Sequence, residues 1–198
     1  QALPIYQDIQ ARLGEANCLQ SQGLLNLQRE QLPEAFRRFR DVLNIYRSMS
    51  AGVGQQAALG YLARTAYASD SLDQALILAE SSLELGRQIT DRFGQSINLE
   101  LQLQIWQETQ QNEALIASIF LLRDLHAQMD NQRKVEEYES YIQQIASQVP
   151  LDQLQQIEQH AESIRQQHIA EAKARFDATG RDLFEPPPSP VADPDRSE

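Results

Sequence analysis

The chain of 198 residues has a single cysteine, Cys18, and only two lysines, Lys134 and Lys173. One cysteine cannot form an internal disulfide, so a disulfide-stabilised fold is excluded. The shortage of lysine leaves 17 basic residues against 28 acidic ones, a formal net charge of −11. Nucleic acids and anionic membranes both attract a basic surface, so neither is an expected partner.

Long apolar runs are also missing. No segment approaches the roughly 18–20 apolar residues of a membrane-spanning helix, and the first residues have neither the basic nor the apolar part of a signal peptide. The sequence therefore predicts a cytoplasmic protein. Because the chain starts at Gln1 and not at methionine, we expect it to be processed or to be part of a longer protein.

Motifs for catalysis and metal binding are lacking as well. The sequence has no glycine-rich phosphate loop, no nucleophile elbow, no zinc-type cysteine pair and no His-Glu-x-x-His. His160 and His168 are two helical turns apart near Glu171, which is short of the three or four ligands that a metal needs. His126 and Cys18 are expected to be packing residues. We therefore expect no metal, no cofactor and no enzyme activity.

The chain does contain a 40-residue repeat. Each unit is marked by a glycine and by a leucine five residues later. Repeats of 20–50 residues are typical of solenoids and related arrays. The marker pairs are Gly14 and Leu19, Gly54 and Leu59, and Gly94 and Leu99.

Each unit is predicted to form two helices. A first apolar stripe has residue spacings of three and one, as expected for one face of a helix. A second stripe runs from Ala75 to Ile89, after a polar turn in which Ser71 or Asp70 is placed to cap the helix. No segment alternates with period two, so no β-strand is expected. The first stripe consists of Leu59, Leu62, Ala63, Ala66 and Tyr67.

The period and the paired helices resemble the tetratricopeptide repeat, in its version of roughly 40 residues. That family packs a small residue late in its first helix against a small residue in its second, and two units match this pattern while the third departs from it. The resemblance covers about residues 1–149 and implies an all-α, right-handed solenoid of antiparallel helix pairs; a helical repeat of another type is the alternative. The pairs are Gly23 with Ala35, Ala63 with Ala75, and the departing Leu103 with Ala114.

The repeat register predicts three regions. Residues 150–178 are expected to form one long helix that caps the solenoid or, alternatively, a coiled-coil or partner-docking helix. Residues 179–198 are rich in proline and acidic residues and are expected to be disordered. An array that starts in mid-unit leaves an apolar end uncovered, so we expect Gln1 to lie inside a longer array. The array itself comprises a partial unit 1–14, units 15–54, 55–94 and 95–134, and a terminal helix 135–149.

In the tetratricopeptide family the first helices line a concave face that usually holds a peptide or a helix. No lysine occupies the corresponding positions here, which argues against the carboxylate clamp of the family's chaperone-binding members. The resemblance implies a groove of amides, one arginine and apolar side chains. Its residues are Asn17, Gln20, Leu24 and Leu27 in the first unit, Gly60, Arg64 and Tyr67 in the second, and Glu100, Gln104 and Gln107 in the third.

We therefore expect a non-enzymatic scaffold that binds a peptide or helix of a partner protein in this groove. Two alternatives stay open. The repeats, with phrases such as residues 11–17, also resemble ligand-sensing segments of larger bacterial signalling proteins. An oligomerisation module would act through the exposed end of the solenoid or through the helix at residues 151–178.

Overall fold

The computed structural model describes residues 2–188. Within this range the chain is all-helical, as predicted, and contains nine α-helices and no strand. None of these helices combines the length and the apolar character needed to cross a bilayer. The helices are α1 (Ala2–Gln28), α2 (Leu32–Ser48), α3 (Gly52–Ala68), α4 (Leu72–Gln88), α5 (Arg92–Glu108), α6 (Asn112–Ala127), α7 (Gln132–Ala146), α8 (Leu151–Gln159) and α9 (Ala161–Asp177).

The helices follow the 40-residue period, but the units begin earlier than predicted. Helices α3, α5 and α7 begin at Gly52, Arg92 and Gln132. The marker glycines Gly54 and Gly94 thus lie in the first helical turns of α3 and α5 and not between units. Helix α1 runs without a break through residue 14, so the predicted partial unit 1–14 is not separate from the next one.

The same backbone turn ends each of the first six helices. One residue adopts a left-handed conformation, and the residue after it donates its N–H to the carbonyl five positions earlier. This is the Schellman arrangement, which satisfies the last carbonyls of a helix. The left-handed residues stand every 20 positions: Glu30, Ser50, Asp70, Thr90, Gln110 and Asp130, with φ between 52° and 61°.

The predicted cap of α4 differs in detail. Ser71 is the N-cap residue, but its side chain makes no capping hydrogen bond, and Asp70 is the left-handed residue of the turn. Side-chain caps do occur at Asp91 and Asn131, which accept hydrogen bonds from the backbone three residues later.

From α1 to α7, each helix packs against the next, and α3 also contacts α5. The core between paired helices contains Ala63 and Ala75, both fully buried. Close contacts with aromatic rings explain why glycine occurs at two positions in the helices. A Cβ on Gly54 would lie 2.4 Å from the Tyr46 ring, and one on Gly23 would lie 2.7 Å from Phe39. Larger side chains at these positions would push the helices apart.

The expected burial of Cys18 is wrong, because its side chain is exposed. Its counterparts in the next two units, Ala58 and Asn98, are 1% and 3% exposed. Those residues are covered because each later helix pair packs against the pair before it. Helix α1 belongs to the first pair, so this outer face has no preceding pair against it in the described part of the chain.

The region predicted as one helix, residues 150–178, is two helices that meet at His160, where φ is −114° and ψ is 15°. They lie along the side of the array and do not cover its end, since α8 packs on α6 and α9 packs on both α4 and α6. The break lets each helix follow its own contacts. Leu154 and Ile157 pack with Phe120, whereas Ile169 joins the main core.

The chain continues in contact with the array up to Glu185, whose carbonyl accepts a hydrogen bond from Gln74 on α4. Leu183 and Phe184 pack against the core, so the expectation of disorder is wrong for this part. The rest of the predicted disordered tail, residues 189–198, lies outside the described residues. We refer to residues 151–188 as the C-terminal strap.

A buried ion cluster holds the strap to the array. Arg165 is fully buried, and its guanidinium donates hydrogen bonds to both carboxylate oxygens of Glu80 on α4. It also donates to Glu162, at 2.6 Å, and to the side-chain oxygen of Gln102 on α5, at 3.0 Å. Arg87 donates to Glu162 at 2.9 Å. The cluster joins α4, α5 and α9.

Opposite charges dominate the ionisation of this cluster. Burial would by itself raise the pKa of Glu80, but the hydrogen bonds and the positive charge of Arg165 outweigh it, so the pKa lies below its ordinary value. The pKa of Glu162 is lowered for the same reasons. Burial would lower the pKa of Arg165, and the two carboxylates raise it. All three groups stay charged at neutral pH.

The left-handed turns generate a prediction at Thr90. A β-branched residue with φ of 61° is strained, whereas glycine adopts this conformation freely. Thr90→Gly should raise the free energy of unfolding by about 1 kcal/mol, measured by urea denaturation. The control Gln104→Gly, at an exposed site inside α5, should lower it by about 1 kcal/mol. Destabilisation by both variants would contradict the assignment of the turn.

Arg165→Met should lower the free energy of unfolding by about 3 kcal/mol at pH 7, because two carboxylates lose their buried partner. In the parent chain Glu80 and Glu162 have pKa values below the ordinary 4.5. The ionised carboxylates therefore contribute their full stabilisation at pH values above 4.5. This stabilisation is lost as the pH falls through their lowered pKa values. The difference between variant and parent should shrink on acidification, as measured by urea denaturation at pH 7 and about pH 3.5.

Arg175→Met is the matched control on the same helix. Arg175 pairs with Asp73 at 2.7 Å, but their side chains are 57% and 30% exposed. Removing such an ion pair should cost less than about 1 kcal/mol. Equal losses in the two variants would show that the Arg165 cluster does not hold the strap.

Candidate binding groove

A cavity of about 250 Å³ opens between α3 and α5. We call it, with its rim, the α3–α5 groove. It exists because the turns place the two helices side by side in the same register. Its lining residues are Val53, Gln56, Ala57, Gly60, Tyr61 and Arg64 from α3, the cap residue Asp91, and Phe93, Gly94, Ile97 and Asn98 from α5.

Exposed apolar side chains surround this cavity. Val53 and Phe93 are each 66% exposed, and Ile97 is 38% exposed. Val53 and Phe93 occupy the same repeat position, 40 residues apart, in the first turns of α3 and α5. Single exposed apolar residues are ordinary on protein surfaces, whereas a cluster around a cavity marks an interaction site.

Two buried amide side chains also line the cavity. Gln56 is 2% exposed, and neither its side-chain nitrogen nor its oxygen has a hydrogen-bond partner. Asn98 is 3% exposed; its nitrogen donates to Ser82 and to the Gly94 carbonyl, but its oxygen has no partner. Buried polar atoms are normally paired because leaving them unpaired is costly.

Glycines shape the space around these amides. A Cβ on Gly94 or Gly86 would lie 2.1 Å or 2.4 Å from the side-chain nitrogen of Gln56. Gln56 can therefore enter the junction of α4 and α5 only because both positions lack a side chain. Gly60 leaves the α3 side of the cavity open, since a Cβ there would be no closer than 3.5 Å to another atom.

The charged part of the groove is small. Arg64 is exposed, and no described carboxylate forms an ion pair with it. Asp91 is engaged as the cap of α5, where it accepts the N–H of Gly94 at 3.1 Å. The groove thus presents an apolar patch, two buried amides and one arginine available for an acidic group.

The structure brings only part of the predicted groove together. Gly60 and Arg64 line the cavity. Tyr67, Gln104 and Gln107 surround a separate depression near the ends of α3 and α5, together with Glu108.

Tyr67 is already engaged in that depression. Its hydroxyl donates to the carboxylate of Glu108. This hydrogen bond, with burial and the negative charge of Glu108, raises the pKa of Tyr67 to about 12. Tyr67 is therefore a neutral hydroxyl at physiological pH.

The predicted residues on α1 do not join the α3–α5 groove. Leu27 packs against the core, and Asn17 accepts a weak hydrogen bond from the Tyr46 hydroxyl at 3.5 Å. Leu24 is 39% exposed, and Gln20 is half-buried. None of the four lines the α3–α5 cavity or the depression beside Tyr67.

Glu100 contacts two aromatic side chains of the neighbouring helices. It accepts a hydrogen bond from the Tyr138 hydroxyl at 3.3 Å and lies 4.0 Å from His126. His126 stacks on Tyr138, which agrees with the expected packing role. Burial is the main cause that lowers the pKa of His126, although the charge of Glu100 opposes the shift. This cluster joins α5, α6 and α7.

Val53, Phe93 and Ile97 are absent from the predicted groove, as are the amides Gln56 and Asn98. Two of these had a visible signal, because Val53 and Phe93 directly precede the marker glycines. The two amides had no such signal in the sequence, because their burial depends on contacts with α4. Among residues 10–188, no group of three or more metal-binding side chains converges.

Comparison of the chain with models of protein families, with curated proteins and with solved structures found no match. The groove must therefore be interpreted from its own geometry.

The unpaired amide of Gln56 generates a stability prediction. Gln56→Leu should raise the free energy of unfolding by about 1 kcal/mol, because a buried donor and acceptor without partners are removed. The matched control is Gln102→Leu. Gln102 is equally buried, but it donates to Glu80 and accepts from Arg165, each at 3.0 Å.

Gln102→Leu should lower the free energy of unfolding by about 2 kcal/mol, since two charged partners each lose a hydrogen bond. Urea denaturation at pH 7 measures both variants. If Gln56→Leu were as destabilising as Gln102→Leu, the amide of Gln56 would have partners in the folded chain.

Proposed function

We propose that this protein is a non-enzymatic scaffold that binds a peptide or helix of a partner protein in the α3–α5 groove. The groove would be the concave face of a right-handed solenoid of the tetratricopeptide type. One observation carries the proposal: exposed Val53, Phe93 and Ile97 surround a cavity that also contains unpartnered amides.

The physical properties of the groove suit a protein ligand. Binding energy in protein interfaces concentrates on aromatic and other large apolar residues that lose water on contact. Phe93 and Val53 expose such surface now and would lose it on binding. Arg64 would provide the polar rim by pairing with an acidic group of the partner.

Cavity size bears on the ligand-sensing alternative. Pockets for small molecules commonly measure roughly 300–1,000 Å³, and this cavity measures about 250 Å³. It is better suited to one or two side chains of a larger partner than to an entire small molecule. Within the strap, oligomerisation has less support because Ile169, Ala172 and Phe176 are buried in the chain's own core.

Selection from a displayed library of random peptides tests the proposal. Peptides enriched on the parent chain should lose affinity for Phe93→Glu by roughly 30-fold, the effect of removing a hot-spot residue. Isothermal titration calorimetry measures the affinity of each enriched peptide.

Leu151→Glu is the matched control, because Leu151 is 68% exposed and lies at the start of α8, away from the groove. It should leave the affinity unchanged. The proposal fails if the library yields no peptide that binds saturably, or if the two variants weaken binding equally.

A further inference from the structure

The end of the strap lies on α2 and α4 as a folded peptide would lie in a receptor: residues 182–185 form a turn in which the backbone N–H of Glu185 donates to the Asp182 carbonyl at 3.0 Å. The contact centres on Gln74 of α4, whose side chain is fully buried. Its amide nitrogen donates hydrogen bonds to two backbone carbonyls of the strap, those of Leu183 at 2.8 Å and Glu185 at 2.9 Å. One side chain thus binds the peptide backbone on both sides of Phe184.

Side chains of the segment fill the rest of this contact. Leu183 and Phe184 pack against the main core, and the guanidinium of Arg47, on α2, lies over the Phe184 ring at 4.9 Å. Pro187 is buried. Backbone hydrogen bonds combined with contacts to particular side chains are the usual elements of peptide recognition.

The segment also has internal contacts that fix its shape. The backbone N–H of Phe184 donates to the Asp182 carboxylate at 2.7 Å, and Arg181 donates to the Pro186 carbonyl at 3.0 Å. Three consecutive prolines, residues 186–188, restrict the backbone further. A ligand that is ordered before binding loses less entropy when it binds.

Gln74 is particular to one repeat unit. Gln74 is the third residue of α4, and the third residues of α2 and α6 are Glu34, which is exposed, and Ala114, which is fully buried. Ala114 thus corresponds to Gln74 in the structure and not, as the sequence predicted, to Ala75. The amide is therefore not a requirement of the helical repeat. Its side-chain oxygen is buried without a partner, a cost that the two hydrogen bonds to the strap offset.

We propose that this surface of α2 and α4 is a second peptide-binding site, specific for a turn-forming segment of the form Leu-Phe-x-x-Pro, whose proline is the buried Pro187. Residues 183–187 of the chain are its tethered ligand, and a partner segment of the same form can replace them. The site is separate from the α3–α5 groove and does not depend on the function proposed for that groove.

Tethering determines how the two ligands compete. An attached segment acts at an effective concentration of about 1 mM, so a free peptide gains access only while the tethered one is released. Its apparent dissociation constant is raised by the inverse of the fraction of sites that are open. Weakening the tethered segment must therefore strengthen binding of the free peptide.

The test uses the full chain and a fluorescein-labelled peptide with the sequence of residues 181–188. Leu183→Ala with Phe184→Ala in the protein removes the two apolar contacts of the tethered segment. Fluorescence anisotropy should show saturable binding of one peptide per chain. The dissociation constant should be at least roughly ten-fold lower for this double variant than for the parent.

Two variants in the double-variant background locate the peptide. Gln74→Leu should abolish saturable binding. Gln88→Leu, an exposed glutamine on the same helix, should leave it unchanged. A peptide with alanine at the positions of Leu183 and Phe184 should fail to bind the double variant, which tests the site without changing the protein.

Three results would overturn the proposal. The first is equal affinity for the parent and the double variant, or no binding to either. The second is binding that survives Gln74→Leu in a chain with an unchanged far-ultraviolet dichroism spectrum. The third is equal binding of the alanine-substituted peptide.

Discussion

One backbone turn, used six times, determines the geometry of this protein. The first six helices end in a left-handed residue every 20 positions, and α2 to α6 are 16–17 residues long, so the chain reverses direction in the same way after each helix. Equivalent residues of α3 and α5 are therefore neighbours in space as well as in the repeat. The pairing of Val53 with Phe93 at one cavity depends on this turn, because an added or missing residue would rotate α5 by about 100°.

The period and the apolar stripes were enough to predict the paired helices and the all-α fold. They were not enough to locate the helix ends, because glycine, the usual residue of a left-handed turn, is absent from all six turns. The repeated glycines serve packing instead: Gly54 makes room for the Tyr46 ring. Placing unit boundaries at glycines therefore put them inside helices.

Contacts between distant residues account for what the sequence did not predict. The apolar spacing of residues 154–176 indicated helix, but the burial of Arg165 within that segment also depends on Glu80, 85 positions away, which pairs with it. The sequence placed Phe184 in a disordered tail, whereas in the structure Gln74 and Arg47 provide the surface on which this segment packs. Among the groove residues, Arg64 followed from the family resemblance, whereas Gln56 and Asn98 had to be found from their burial.

The groove and the strap meet at helix α5. Asn98 and Gln102 lie one turn apart on the side of α5 that faces α4: Asn98 lines the cavity and donates to Ser82, and Gln102 accepts from Arg165. The strap thus fixes the position of α5 relative to α4, and α5 provides half of the cavity wall. A rigid wall lowers the entropy lost when a partner binds, so the ion cluster supports the groove although none of its charged residues lines it.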